Sequence, residues 1–238
     1  MSGYAEIREE CCRANRSLPT TGLVDLTFGN VSVSDPVARV FAIKPSGVDY
    51  GILEPSHMVI VNFEGRVVEG SLRPSSDTPT HLRLLKSFAG VRSIVHTHSR
   101  YAVSFAQAGR EIPCLGTTHA DYFHGAVPVT RSLTDAEIQG DYEAETGQVI
   151  LERFRSIDPL EVPAVLVRNH GPFAWGPTGE NAVEMAQALE IVAQMAYQAL
   201  QISPAAPIIP TTLVDRHFYR KHGPGGYYGQ SKAEETQG

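Results

Sequence analysis

Only three cysteines occur in the 238 residues, and two of them, Cys11 and Cys12, are neighbours. Adjacent cysteines rarely bridge each other and Cys114 is remote in sequence, so no disulfide framework is expected and a reducing compartment is the natural reading. No apolar run reaches the roughly 18 residues that suggest a membrane span. The opening segment Met1-Ser2-Gly3-Tyr4-Ala5-Glu6-Ile7-Arg8-Glu9-Glu10 has no apolar core of the signal-peptide kind. The expectation is a cytoplasmic protein with no membrane partner. Basic clusters are missing too: 26 acidic against 20 basic residues give a net charge of −6, which speaks against a nucleic-acid partner. Three motifs are also absent: a Gly-x-Gly-x-x-Gly after a strand, a Walker loop and a Gly-x-Ser-x-Gly elbow. Dinucleotide, nucleotide-hydrolysing and serine-hydrolase chemistry therefore has no local support. With 42% hydrophobic and 19% charged residues, the composition is that of an ordinary globular protein with material for one large core.

Histidine stands out among what remains. The apolar run Val91-Arg92-Ser93-Ile94-Val95 leads into His96-Thr97-His98. Side chains two apart on a strand point to the same face, so the two imidazoles converge. A second strand-like run, Ala164-Val165-Leu166-Val167-Arg168-Asn169, ends in His170-Gly171, and Asp77 follows Arg73-Pro74-Ser75-Ser76 in a loop-like stretch. Three histidines and one carboxylate could fill a zinc-type site that leaves room for substrate oxygens. On the pattern alone, a metal site and ordinary core histidines are about equally plausible, since motif matches carry false positives.

Along the chain, residues 4–17 read as a weakly amphipathic helix. Short β-like runs follow at Thr27-Phe28, Val31-Ser32-Val33, Val40-Phe41-Ala42-Ile43 and Met58-Val59-Ile60-Val61, separated by turn formers. Residues 78–89 read as a helix entered through Pro79, followed by a strand over 91–97 and a helix near 99–108. Thr134-Asp135-Ala136-Glu137 is a capping-box pattern that opens a helix running to about Phe154. After the strand 164–169, the longest helical pattern covers 178–202, and a last helix covers 211–222. Residues 1–230 are expected to form one domain. The expected fold is α/β, a single domain with a central, mainly antiparallel sheet between helical layers. The polar tail 231–238 is expected to be disordered.

Gly29-Asn30, Ser46-Gly47 and Ser75-Ser76 each offer small residues, hydroxyls and backbone N–H groups in a turn, the material of an anion nest, with Lys44 near the second. Singly, each pair is a turn. Asp121 and Tyr228 are candidate proton carriers with ordinary pKa values of about 3.9 and 10; on spacing alone they read as a turn aspartate and a packing tyrosine.

Six blocks of the sequence resemble the class II aldolase/epimerase family. They are Lys44-Pro45-Ser46-Gly47-Val48-Asp49-Tyr50, Pro74-Ser75-Ser76-Asp77-Thr78-Pro79-Thr80-His81, Val95-His96-Thr97-His98-Ser99, Gly116-Thr117-Thr118-His119-Ala120-Asp121-Tyr122-Phe123, His170-Gly171-Pro172-Phe173-Ala174-Trp175-Gly176 and the ending Arg220-Lys221-His222-Gly223 with Tyr227-Tyr228-Gly229-Gln230. The resemblance, closest to the family's pentulose-phosphate 4-epimerases, implies one divalent metal per subunit, zinc before manganese or cobalt, on Asp77, His96, His98 and His170. It implies a substrate phosphate on Gly29, Asn30, Ser46, Gly47, Ser75 and Ser76, and Asp121 with Tyr228 as the acid–base pair. Glu143 and His217 fall on supporting positions. It also implies a homotetramer of fourfold symmetry whose active sites lie at subunit boundaries, the acid–base pair coming from the neighbouring chain.

The implied reaction interconverts L-ribulose 5-phosphate and D-xylulose 5-phosphate by opening and re-forming C3–C4. Deprotonation at C4 is not a workable route, because no carbonyl adjoins that carbon. An aldolase acting on L-fuculose 1-phosphate or a similar ketose phosphate is the alternative. Such aldolases carry Glu at the position of Asp77, and the shorter side chain favours the epimerase.

Overall fold

A computed structural model describes residues 3–222 and Gly226. Tyr228 and the tail 231–238 lie outside the described residues. The chain begins with helix α1 (Ala5–Thr21), which ends at Gly22 in the left-handed conformation, φ +73°. Its residues Ile7, Cys11, Ala14 and Leu18 recur at helical spacing and are buried. The buried Asn15 amide donates to Val31 O at 3.0 Å and accepts from Val31 N at 2.8 Å. It acts as a hydrogen-bonding partner to that strand residue and locks the helix to the sheet.

The sheet has seven strands: β1 (Asn30–Asp35), β2 (Val40–Ile43), β3 (Val59–Asn62), β4 (Val67–Glu69), β5 (Ser93–His96), β6 (Ala164–Leu166) and β7 (Pro172–Gly176). Their order is β4-β3-β2-β1-β5-β7-β6, and every pairing between them is antiparallel. Period-two alternation sends their apolar side chains to two cores. Val40, Ala42, Ile60, Val95 and Ala174 pack in one, with α1. Phe41, Ile43, Val61, Ile94, Phe173 and Trp175 pack in the other.

Helices α3 (Arg100–Ala108) and α7 (Gly179–Ile202) cover the first face; α2 (Thr78–Ser87) and α6 (Tyr142–Arg153) cover the second. Short helices α4 (Thr117–Ala120) and α5 (Asp135–Gln139), with the final α8 (Thr211–His222), complete the order. This is the antiparallel sheet between helical layers expected from the sequence. Among the described residues no helix is long and apolar enough to cross a membrane.

Several local expectations shift. Thr27-Phe28 is a turn instead of a strand. The strand expected over 164–169 stops at Leu166, because Val167–His170 closes a turn with His170 N donating to Val167 O at 3.0 Å. The chain then returns as β7. The helix expected from Thr134 to Phe154 is two helices. Thr134 and Glu137 form the capping box of α5, Gly140 breaks it, and Asp141 caps α6 by accepting from Ala144 N at 3.3 Å.

Candidate metal and phosphate site

The centre of the sheet delivers the histidines. His96 is the last residue of β5, between β1 and β7, and its register partners are Asn30 and Phe173. Its ring stacks on Phe173 with centroids 4.2 Å apart and 18° between planes. His96 Nδ1 donates to Pro172 O at 2.9 Å, because a carbonyl can only accept. That leaves Nε2 unprotonated on a neutral ring. His98, two residues on, shows the same face and is exposed.

The turn after β6 brings in His170, with its ring 4.8 Å from that of His96 and 5.3 Å from that of His98. Asn169 sits in this turn at φ +64°, a conformation that asparagine tolerates better than most side chains. Tyr142 Oη lies 3.2 Å from His170 Nδ1, which turns His170 Nε2 toward the cluster.

The donor atoms of His96, His98 and His170 lie within 4.8 Å of one another. His96 Nε2 and His98 Nε2 are 3.2 Å apart, near the roughly 3.3 Å spacing of two nitrogens each about 2.0–2.1 Å from a tetrahedral zinc. With both nitrogens unprotonated, a divalent cation would fit between them, so the residues fit a divalent metal. Asp77 lines the same pocket, and Asn30 Nδ2 donates to its Oδ2 at 2.6 Å. Burial alone would raise the Asp77 carboxyl. The imidazoles of His96, His81 and His170, with the Asn30 amide, outweigh it and hold the group below its usual value. His170 is lowered to about 3 by burial first and by His96 second, so it is neutral and ready to ligate.

The six phosphate candidates surround this cluster. Gly29, Asn30, Ser46, Gly47, Ser75 and Ser76 line one cavity of about 400 Å³ together with Asp77, His96, His98 and His170, a volume suited to a small metabolite. Two backbone bonds, Ser46 N to Arg73 O and Ser75 N to Lys44 O, both at 3.0 Å, zip the 45–47 turn to the 74–76 turn. The N–H groups of Ser46 and Ser75 are thereby spent. The hydroxyls and the neighbouring amides are what this cradle offers an anion.

Gly29 adopts φ +82°, and a Cβ there would lie 2.8 Å from His96 O; only glycine lets this turn approach the strand end. Tyr50 Oη fixes the same turn by bonding to Phe28 O at 2.7 Å and Gly29 O at 2.8 Å. Lys44 also lines the pocket, buried, with its ammonium 4.7 Å from the centre of the Tyr50 ring and its pKa lowered by burial. A larger open groove of about 740 Å³ runs between α1 and α7, but no histidine faces it, so volume alone does not locate the chemistry.

Residues 9–197 match the family described as Class II Aldolase and Adducin N-terminal domain. The chain belongs to the class II aldolase family. Within it, the L-ribulose-5-phosphate 4-epimerase UlaF of Salmonella paratyphi C (strain RKS4594) is 49% identical over 225 residues, 94% of this chain and 99% of that protein. The protein of the same name from Salmonella choleraesuis (strain SC-B67) is also 49% identical over 225 residues. A solved L-fuculose 1-phosphate aldolase has a TM-score of 0.75 at 25% identity, covering 89% of this chain and 94% of its own. YgbL from Escherichia coli, described as a putative aldolase/epimerase/decarboxylase, has a TM-score of 0.67 at 21% identity over 89% of this chain and 97% of its own, a likeness of fold.

Against this class II aldolase frame, Asp121 is placed differently from the other candidates. It follows α4 and does not line the histidine pocket. Its Oδ1 accepts from His217 Nδ1 at 3.0 Å and from Arg220 Nη2 at 2.8 Å; its Oδ2 accepts from Arg220 Nη2 at 2.9 Å. Lys221 Nζ stands 3.9 Å from Oδ2. His217 thus supports Asp121, whereas Glu143 lines the pocket itself. The sequence reading passed over Tyr142, beside Glu143. The signal was Gly140-Asp141, a helix break followed by an N-cap, which puts residue 142 in the first turn of a new helix facing the site.

Proposed function

We propose that this chain is a metal-dependent L-ribulose-5-phosphate 4-epimerase, interconverting L-ribulose 5-phosphate and D-xylulose 5-phosphate. The observation that carries the reading is the meeting of three histidines, Asp77 and the Gly29–Asn30, Ser46–Gly47 and Ser75–Ser76 turns in one cavity. The 49% identical relatives named for that activity support it. Asp77, His96, His98 and His170 would hold the metal, with zinc the preferred ion. When bound, a divalent metal supplies a Lewis acid that stabilises negative charge on the substrate's C2 and C3 oxygens.

The protein's own groups do the rest. Asp121 or Tyr228 takes the proton from the C4 hydroxyl as C3–C4 breaks, and the hydroxyls and amides of the small-residue turns keep the resulting glycolaldehyde phosphate tethered by its phosphate. The free aldehyde rotates about that tether and presents its other face. C3–C4 then re-forms, and the partner acid returns the proton to the C4 oxygen. One carrier serves each epimer because the C4 oxygen points to opposite sides in the two.

The absence of Asp121 from the lining of its own chain's histidine pocket supports a homotetramer in which a neighbouring subunit supplies the pair, with residues 1–230 as the functional domain of a cytoplasmic enzyme. The test is a coupled assay of zinc-loaded protein with L-ribulose 5-phosphate, following D-xylulose 5-phosphate, beside a chelated control. Chelator-sensitive turnover is expected. Cleavage of L-fuculose 1-phosphate with no epimerisation would overturn the assignment in favour of the aldolase reading.

A further inference from the structure

His96 and His170 are held by different kinds of partner. The outer nitrogen of His96 faces Pro172 O at 2.9 Å. A carbonyl has no proton to give, so that contact permits one neutral tautomer only. The outer nitrogen of His170 faces Tyr142 Oη at 3.2 Å, and a phenol hydroxyl both donates and accepts. With Nε2 bare, Nδ1–H donates to Oη; with the proton on Nε2, Oη–H donates to Nδ1. His170 is therefore the ligand whose tautomer follows what its inner nitrogen meets.

Tyr142 itself is held firmly. It opens α6 behind the Asp141 cap, and Thr146 Oγ1 donates to its carbonyl at 2.9 Å. Thr80 Oγ1, one turn from Asp77 on α2, donates to Glu143 O at 2.5 Å. The helix that carries Tyr142 is thus tied to the helix that begins at Asp77.

We propose that Tyr142 is a positioning residue for the metal: its hydroxyl holds the His170 ring with Nε2 toward His96 and His98, and can pair with Nδ1 in either tautomer. The inference rests on the metal-centre reading above. Removing an outer hydrogen-bond partner of a metal-binding histidine typically weakens metal binding about 10–100-fold, and Tyr142→Phe removes only the hydroxyl while keeping the ring beside His170.

The experiment is zinc affinity of the metal-free protein by competition with a chromogenic chelator, for wild type, Tyr142→Phe and His96→Ala, with the visible spectrum of the cobalt-loaded forms as a second readout. Expected is a loss of at least about 10-fold in zinc affinity for Tyr142→Phe, with changed cobalt bands and an unchanged thermal midpoint for the metal-free protein. Zinc affinity within twofold of wild type, while His96→Ala binds none, would overturn the role of Tyr142 and leave the metal centre standing. Unchanged affinity in His96→Ala would overturn the metal centre and this inference with it.

Discussion

At the end of β5 the ring nitrogens of three histidines converge within 4.8 Å of one another, whereas beside α4 the Asp121 carboxylate is surrounded by His217, Arg220 and Lys221. In the first cluster burial holds His170 neutral, while the neighbouring imidazoles and the Asn30 amide hold the Asp77 carboxyl below its usual value. The second is satisfied within the chain. Titratable groups with perturbed protonation gathered in a cleft point to a binding site. In the proposed mechanism the two regions divide the work, one side to hold metal and phosphate and the other to present a proton carrier.

The largest effect is expected where the histidine cluster is broken. His96→Ala should remove metal and turnover together, with a loss beyond the roughly 100-fold reached by losing an outer partner; metal analysis beside the assay checks it, and full zinc stoichiometry would contradict the ligand assignment. Asp121→Asn should leave zinc content at the wild-type level and cut turnover about 10²–10⁴-fold, the usual worth of a positioned acid–base group. An active Asp121→Asn protein would remove the second region from the mechanism.

A smaller effect, on stability, concerns how α4 is anchored. His119 is buried, donates from Nε2 to Gly125 O at 2.7 Å, and is lowered to about 4 by burial despite that bond. Between about 4 and the ordinary 6.5 the unfolded chain binds the extra proton and the folded one does not. Stability from this group is therefore present above pH 6.5 and lost as the pH falls toward 4, by at most about 3 kcal/mol. Urea midpoints at pH 7 and pH 5 should diverge more for wild type than for His119→Gln, and equal divergence would contradict the assignment. The smallest effect is expected for Arg220→Gln, which loosens Asp121 but leaves His217 in place. Turnover should fall about 10-fold, or roughly 1.4 kcal/mol, with zinc affinity unchanged; a parallel loss of zinc affinity would show that the two regions are not independent.

Much of the first region was legible because it rests on local rules. The His-x-His pair needs only strand alternation, and the small-residue turns announce themselves by composition. The position of His170 was legible as a strand end, but the early stop at Leu166 and the return of the chain as β7 were not, since the apolar run continues through Val167 before the turn residues Asn169 and Gly171. Tyr142 was hidden by reading one helix through Gly140. The spent amides of Ser46 and Ser75 follow from a long-range pairing that no local pattern records. The second region was the least legible: Asp121 reads as a turn residue until Arg220, 99 positions away, closes on it, and its importance came from resemblance alone.

The most direct measurement is complementation between the two regions. Co-expressed His96→Ala and Asp121→Asn chains, each inactive alone, should assemble into mixed oligomers in which some sites draw an intact metal pocket from one chain and an intact Asp121 from its neighbour. Random assembly around a symmetric ring predicts turnover of about one quarter of wild type. Mixed oligomers that remain as inactive as either parent would contradict the division of the site between neighbouring chains.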